Sequence, residues 1–229
     1  MLSQHGAAVV TQDLKHSTPL HQASSKGSRE IARLLINHGA DVNALDGNYN
    51  TPLHLASRSW CPAVVQILIE LGADVNVLDG YHQTPLHLAS CWGDNRTMQL
   101  LIKHGADVNA RDWNYSTPLH VASSLGKTRT MQILMENGAG VNVRDGRHAT
   151  PLHLASTSWC PDIMRLLIEH GADINLPDGN HRTPLHWAAS EGKNQNMQLL
   201  IDSGADVNAR DRNQMTPWQL ASFFLNRSI

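Results

Sequence analysis

Thr51-Pro52-Leu53-His54-Leu55-Ala56 opens a stretch that closes at Gly72-Ala73-Asp74-Val75-Asn76, and the reading of these two segments decides the fold. Thr-Pro-Leu-His begins again at Thr18, Thr84, Thr117, Thr150 and Thr183, every step being 33 residues. A degenerate copy starts at Thr216, where Trp218 and Gln219 stand for Leu and His. The Gly-Ala marker follows 21 residues behind the first, at Gly39, Gly72, Gly105, Gly138, Gly171 and Gly204. Two series in phase are the mark of a chain built from copies of one supersecondary unit.

Within a unit the local signals are readable. Thr51 is a good helix N-cap, Pro52 suits the first helical position, and His54 stands one turn on, able to reach back to Thr51. A short helix through Leu53, Leu55 and Ala56 follows, ended by a turn near residue 60. The second helix, Pro62 to Leu71, carries Val65, Leu68 and Ile69 at i, i+3 and i+4, and Gly72 is placed for a left-handed C′ conformation. An extended, turned segment such as Asp41 to Asn50 leads to the next copy. Helices this short bury too little apolar surface alone, so adjacent copies must complete one another's core.

The period, the Thr-Pro-Leu-His helix start and the Gly-Ala-Asp-Val-Asn loop together resemble ankyrin repeats across nearly the whole chain. The resemblance implies an all-α repeat fold, an ankyrin-repeat solenoid of helix-turn-helix units joined by β-hairpin-like fingers. Its fingers and first helices would form a concave groove for partner proteins. Counting from the finger aspartates gives full units 13–45, 46–78, 79–111, 112–144, 145–177 and 178–210, a partial unit 1–12 and a truncated last unit 211–229, all in a single domain.

Departures from that pattern are where function is expected. Ankyrin fingers usually carry Gly two residues before the helix-starting Thr, whereas His16, Tyr49, His82, Tyr115, His148, His181 and Gln214 stand here. Glycine lies earlier, at Gly47, Gly80, Gly146 and Gly179, which predicts a re-registered fingertip turn and a ladder of His and Tyr side chains. Such a ladder serves either as packing between fingers or as a contact strip. Ser59-Trp60-Cys61-Pro62 returns as Ser158-Trp159-Cys160-Pro161 where other units have Gly at the Trp position, so the inter-helix turn is expected to be remodelled there. Tyr81, Trp92 and Trp113 fall at positions that vary among ankyrin repeats. With Tyr49, His82, Tyr115 and His148 they form the candidate partner-binding set, Trp and Tyr being the chemistry of binding hot spots. Trp187 and Trp218 replace repeat Leu residues and are expected in the core.

The remaining composition narrows the function classes. A formal charge of −2 argues against non-specific nucleic-acid binding, which needs a Lys and Arg excess. No apolar run approaches a membrane span, and the first residues lack the regions of a signal peptide, so a cytoplasmic or nuclear, non-secreted setting is expected. Cys61, Cys91 and Cys160 lack zinc spacing and read as free thiols. Fourteen histidines invite a metal, but those of Thr-Pro-Leu-His are a whole unit apart, about 10 Å in a helix stack, too far to share an ion. They are read as helix-start hydrogen-bonding groups whose protonation loosens the array. Neither a cofactor motif nor a catalytic constellation stands out, so no enzyme is expected.

The leading expectation is a protein-interaction scaffold or adaptor. The alternatives are a spacer segment of a larger protein and, more weakly, small-molecule binding or catalysis in the groove. Neither terminal stretch, His5-Gly6-Ala7 or Phe223 to Ile229, carries an obvious polar cap. Membership of a longer protein or self-association through the ends is the corresponding expectation.

Overall fold

The computed structural model describes residues 11–225, with side chains through residue 222. The expected first partial unit and the terminal segment after residue 225 therefore lie largely outside the described residues. The chain divides into two compact units, Met1–Trp113 and Asn114–Ile229.

The first unit contains α1 (Pro19–Ser25), α2 (Arg29–Asn37), α3 (Pro52–Arg58), α4 (Pro62–Glu70), α5 (Pro85–Trp92) and α6 (Asn95–Lys103). The second contains α7 (Pro118–Ser124), α8 (Thr128–Glu136), α9 (Pro151–Ser156), α10 (Pro161–Glu169), α11 (Pro184–Ser190), α12 (Asn194–Asp202) and α13 (Pro217–Leu225). No strand is present among the described residues. Within the first unit, α1 packs on α3 and α3 on α5, while α2 packs on α4 and α4 on α6. The second unit repeats the scheme, α7 on α9, α9 on α11 and α11 on α13, with α8 on α10 and α10 on α12. This is the stacked helix-pair architecture expected from the 33-residue period.

The sequence pattern accounts for each level of this packing. The Leu of every Thr-Pro-Leu-His, from Leu20 to Leu185, is buried, and Met98, Leu101, Met131, Leu134, Ile163 and Leu167 fill the second-helix side. Each first helix starts with the Thr side chain capping and the His reaching back. The Thr51 backbone N–H donates to His54 Nδ1 at 3.1 Å. A backbone N–H can only donate, so Nδ1 is the acceptor and the ring proton sits on Nε2. That Nε2–H donates to the Gln83 carbonyl of the next repeat at 3.0 Å. The same link joins His21 to Asn50, His120 to Ala149, His153 to Arg182 and His186 to Met215. Burial holds the His54, His153 and His186 imidazoles below the usual histidine pKa, against the opposing effect of those carbonyls.

A second tie lies at the loop marker. Asn43 donates to the Gly72 carbonyl and accepts from the Asp74 N–H. Asn76, Asn142 and Asn175 do the same one repeat on. The Asn of Gly-Ala-Asp-Val-Asn is therefore a staple between successive repeats.

Trp218 corrects an expectation. It takes the buried Leu position of its repeat yet is 52% exposed, because no second helix of that repeat lies over it among the described residues. Trp187 is half-buried, lies edge-on to the buried His153 ring and donates to Asp178.

Candidate functional site

Each finger is organised by its aspartate. Asp46 Oδ1 accepts from the N–H groups of Asn48 and Asn50, and Asp79, Asp145, Asp178 and Asp211 repeat this pattern. A carboxylate holding residues i+2 and i+4 forces the intervening residue into a tight turn. That residue is the His or Tyr of the ladder. His16, Tyr49, His82, Tyr115, His148, His181 and Gln214 all adopt φ between +57° and +61°.

The re-registered turn expected from the displaced glycines is therefore not what forms. The left-handed position stays two residues before Thr, and non-glycine residues occupy it. The displaced glycines answer a different demand. Gly80 donates its N–H to the Asn48 carbonyl of the preceding finger at 2.9 Å, and a Cβ on it would meet that oxygen at 2.9 Å and the Tyr49 ring at 3.7 Å. Gly146 meets Asn114 and Tyr115 in the same way. Glycine is favoured here by close backbone approach, and the rings of His16, Tyr49, Tyr115 and His148 lie against the glycine of the next finger.

Arg212 also takes the glycine position, its N–H on the Asn180 carbonyl at 3.0 Å, and Trp113 departs from the glycine pattern furthest. It stands at the glycine position of its finger, and its N–H reaches the Tyr81 carbonyl at 3.2 Å, compared with 2.6 to 2.9 Å for the glycines. Its indole, 61% exposed, meets Tyr81 edge-on at 6.3 Å and lies 5.4 Å from the His82 ring. The first unit thus carries a three-ring cluster of Tyr81, His82 and Trp113. Tyr49 is exposed on the preceding finger. Trp92, also exposed, ends α5 and makes no ring contact among the described residues. In the second unit Tyr115 and His148 are exposed on their fingers.

The two Trp-Cys-Pro turns differ. Trp60 keeps φ +56°, matching Gly27 at +68° and Gly93 at +76°, so the turn expected to be remodelled there is not. At Trp159 it is remodelled: the residue leaves the left-handed region, and the Ser158 hydroxyl accepts from the Cys160 N–H at 3.2 Å. The indole then projects, 87% exposed, with Lys193 Nζ 3.1 Å from its ring centroid. This pair was not anticipated from sequence.

No group of three or more His, Cys, Asp or Glu side chains that could hold a metal occurs among the described residues. No described helix is long and apolar enough to cross a membrane.

Comparison with known proteins agrees with this geometry. A family model described as ankyrin repeats in three copies matches residues 1–79, 48–112, 72–145 and 119–211. The chain belongs to the ankyrin repeat family. Among solved structures, the ankyrin repeat domain of human ASB11 is similar, with a TM-score of 0.81 and 30% identity over 90% of this chain and 92% of that one. The ankyrin repeat domain of Bcl-3, a member of the IkappaB protein family, matches with a TM-score of 0.79 and 30% identity over 90% of this chain and 94% of that one. A comparison with curated proteins returned no match. Ankyrin repeat domains generally mediate protein–protein interaction.

Proposed function

We propose that this chain is a protein-interaction scaffold or adaptor whose partner lies across the fingers and first helices. Tyr49, Tyr81, His82, Trp92 and Trp113 are the contact residues of the first unit, and Tyr115 and His148 those of the second. The observation that carries this reading is Trp113. Close backbone approach favours glycine at its position, as at Gly47 and Gly80, yet a large indole stands there, exposed and braced by Tyr81 and His82. A rigid, half-exposed aromatic set on a fixed backbone loses little entropy on binding, the property of an interface anchor.

The test pairs binding with folding. Trp92→Ala with Trp113→Ala is expected to weaken capture of partner proteins from lysate at least tenfold with unchanged far-UV helicity. Undiminished capture by the double variant would sink the assignment. The three free thiols, Cys61, Cys91 and Cys160, suit a reducing cytoplasmic or nuclear setting for such a role.

A further inference from the structure

The N-terminus of α12 presents a charge arrangement that the repeat fold does not use. Lys193 is the N-cap residue of α12 and is only 9% exposed, yet its ammonium meets no oxygen of the protein and lies against the face of Trp159. The stem of Lys193 is buried while its ammonium, with a ring face and no carboxylate or carbonyl for company, keeps donors that an anion supplied from outside can take up. Lys193 lines a cleft of about 280 Å³ together with Ser158, Trp159 and Asn194 to Asn196. The first turn of α12 opens into this cleft without a side-chain cap.

The third repeat contains the completed counterpart. There the same N-cap position is Asp94, whose carboxylate accepts from the Thr97 N–H at 3.1 Å and from its hydroxyl at 2.6 Å. Each repeat follows a Ser-Trp-Cys-Pro turn, that of residues 59–62 or its copy at 158–161. In one case the chain supplies a carboxylate to its own helix start. In the other it supplies a lysine, and Asn196, the residue equivalent to Thr97, ties its amide to the Ser156 and Ser158 carbonyls.

We propose that the Trp159–Lys193 cleft is a carboxylate subsite, taking the side chain of one Asp or Glu from a partner protein. The carboxylate would sit on the Lys193 ammonium and the open N–H groups of α12, with its methylene against the indole. Charge favours a monoanion over a phosphate, since Arg182, the other cation on this side of Trp159, is paired with Asp211 at 3.3 Å and Glu191 lies beside it. The protein source of the carboxylate rests on the interaction role proposed above, whereas the site can be probed without any partner.

The experiment is a backbone NMR titration of the full chain at constant ionic strength. Acetyl-Asp-amide is expected to give saturable shifts at the Gln195 and Asn196 amides, while acetyl-Asn-amide gives none. Lys193→Met should abolish the response, Lys193→Arg should retain it, and Trp113→Ala should leave it intact. Equal response to the Asp and Asn ligands, or none to either, overturns the site regardless of how the variants fold. Saturation by inorganic phosphate at lower concentration than acetyl-Asp-amide overturns the carboxylate preference. Response only to acetyl-Ala-Ala with a free C-terminus overturns the side-chain source. Failure of Trp113→Ala to affect partner capture would count against the finger site alone.

Discussion

His54 Nε2 stands 3.0 Å from the carbonyl oxygen of Gln83, a residue 29 positions further along the chain. The bond crosses from one repeat to the next, and it exists only while Nδ1 is free to accept from Thr51. Protonating the ring places a second N–H against a donor and loses the cap. Burial lowers the folded pKa of His54, His153 and His186, so their contribution to stability is present above the unfolded value of about 6.5 and is lost as pH falls from there towards the folded value. The melting temperature is expected to be level above neutrality and to decline steadily through pH 6 and 5. His153→Gln combined with His186→Gln should flatten that decline, since Gln219 already caps Thr216 through Oε1 at 2.8 Å. A melting temperature unchanged between pH 7 and 5 contradicts the scheme.

Gly80→Ala tests whether the finger glycines are steric. Its Cβ would stand 2.9 Å from the Asn48 oxygen, closer than real contacts allow, so the finger must shift and lengthen its hydrogen bond. A loss of about 1–2 kcal/mol is expected, in the range of overpacking, read as a lowered urea midpoint with unchanged slope. A neutral result would show that the ladder relaxes freely.

His181→Gly probes the opposite property. His181 is exposed at φ +59°, a conformation that costs an L-residue about 1 kcal/mol and glycine almost nothing. The variant is expected to gain up to about 1 kcal/mol after glycine's extra unfolded-state entropy is subtracted. Thermal unfolding gives the sign directly, and a clear loss would mean that the ring's packing outweighs the backbone strain.

Asn142→Ala removes both bonds of one staple, the donation to Gly171 at 3.0 Å and the acceptance from Asp173 at 2.8 Å. Because the site is exposed and water replaces the lost partners in part, about 1 kcal/mol is expected. Asn142→Asp, which keeps the acceptor and loses the donor, should fall between the variant and the parent in chemical denaturation.

The helices and their stacking were legible because Thr, Pro and His act locally, within one turn of the helix they start. Glycine placement misled because the residue has two uses. Gly47 and Gly80 were read as sources of positive φ, whereas their neighbours three-dimensionally leave no room for a Cβ. The residue strained into the left-handed region was the one that looked least able to adopt it, held there by an aspartate whose i+2 and i+4 bonds have no compositional signature. The Trp159–Lys193 pair depends on residues 34 apart meeting across repeats. Its sequence signals were Trp159 in place of the repeat glycine and a lysine at the position of Asp94, which Lys127 shares.

The cross-repeat histidine bonds have one consequence for the polarity of the array. The carbonyl that receives His153 belongs to Arg182, and the N–H on the other side of that same peptide plane, that of Thr183, donates to His186. Imidazole and peptide dipoles therefore alternate head to tail, from Thr117 through His120, His153 and His186 to Gln219 in the second unit. Such a file has a direction, and every ring in it must share one tautomer, because a single reversed imidazole would set two donors face to face. Each link polarises the next, so a defect at one histidine is felt by its neighbours before any helix has moved.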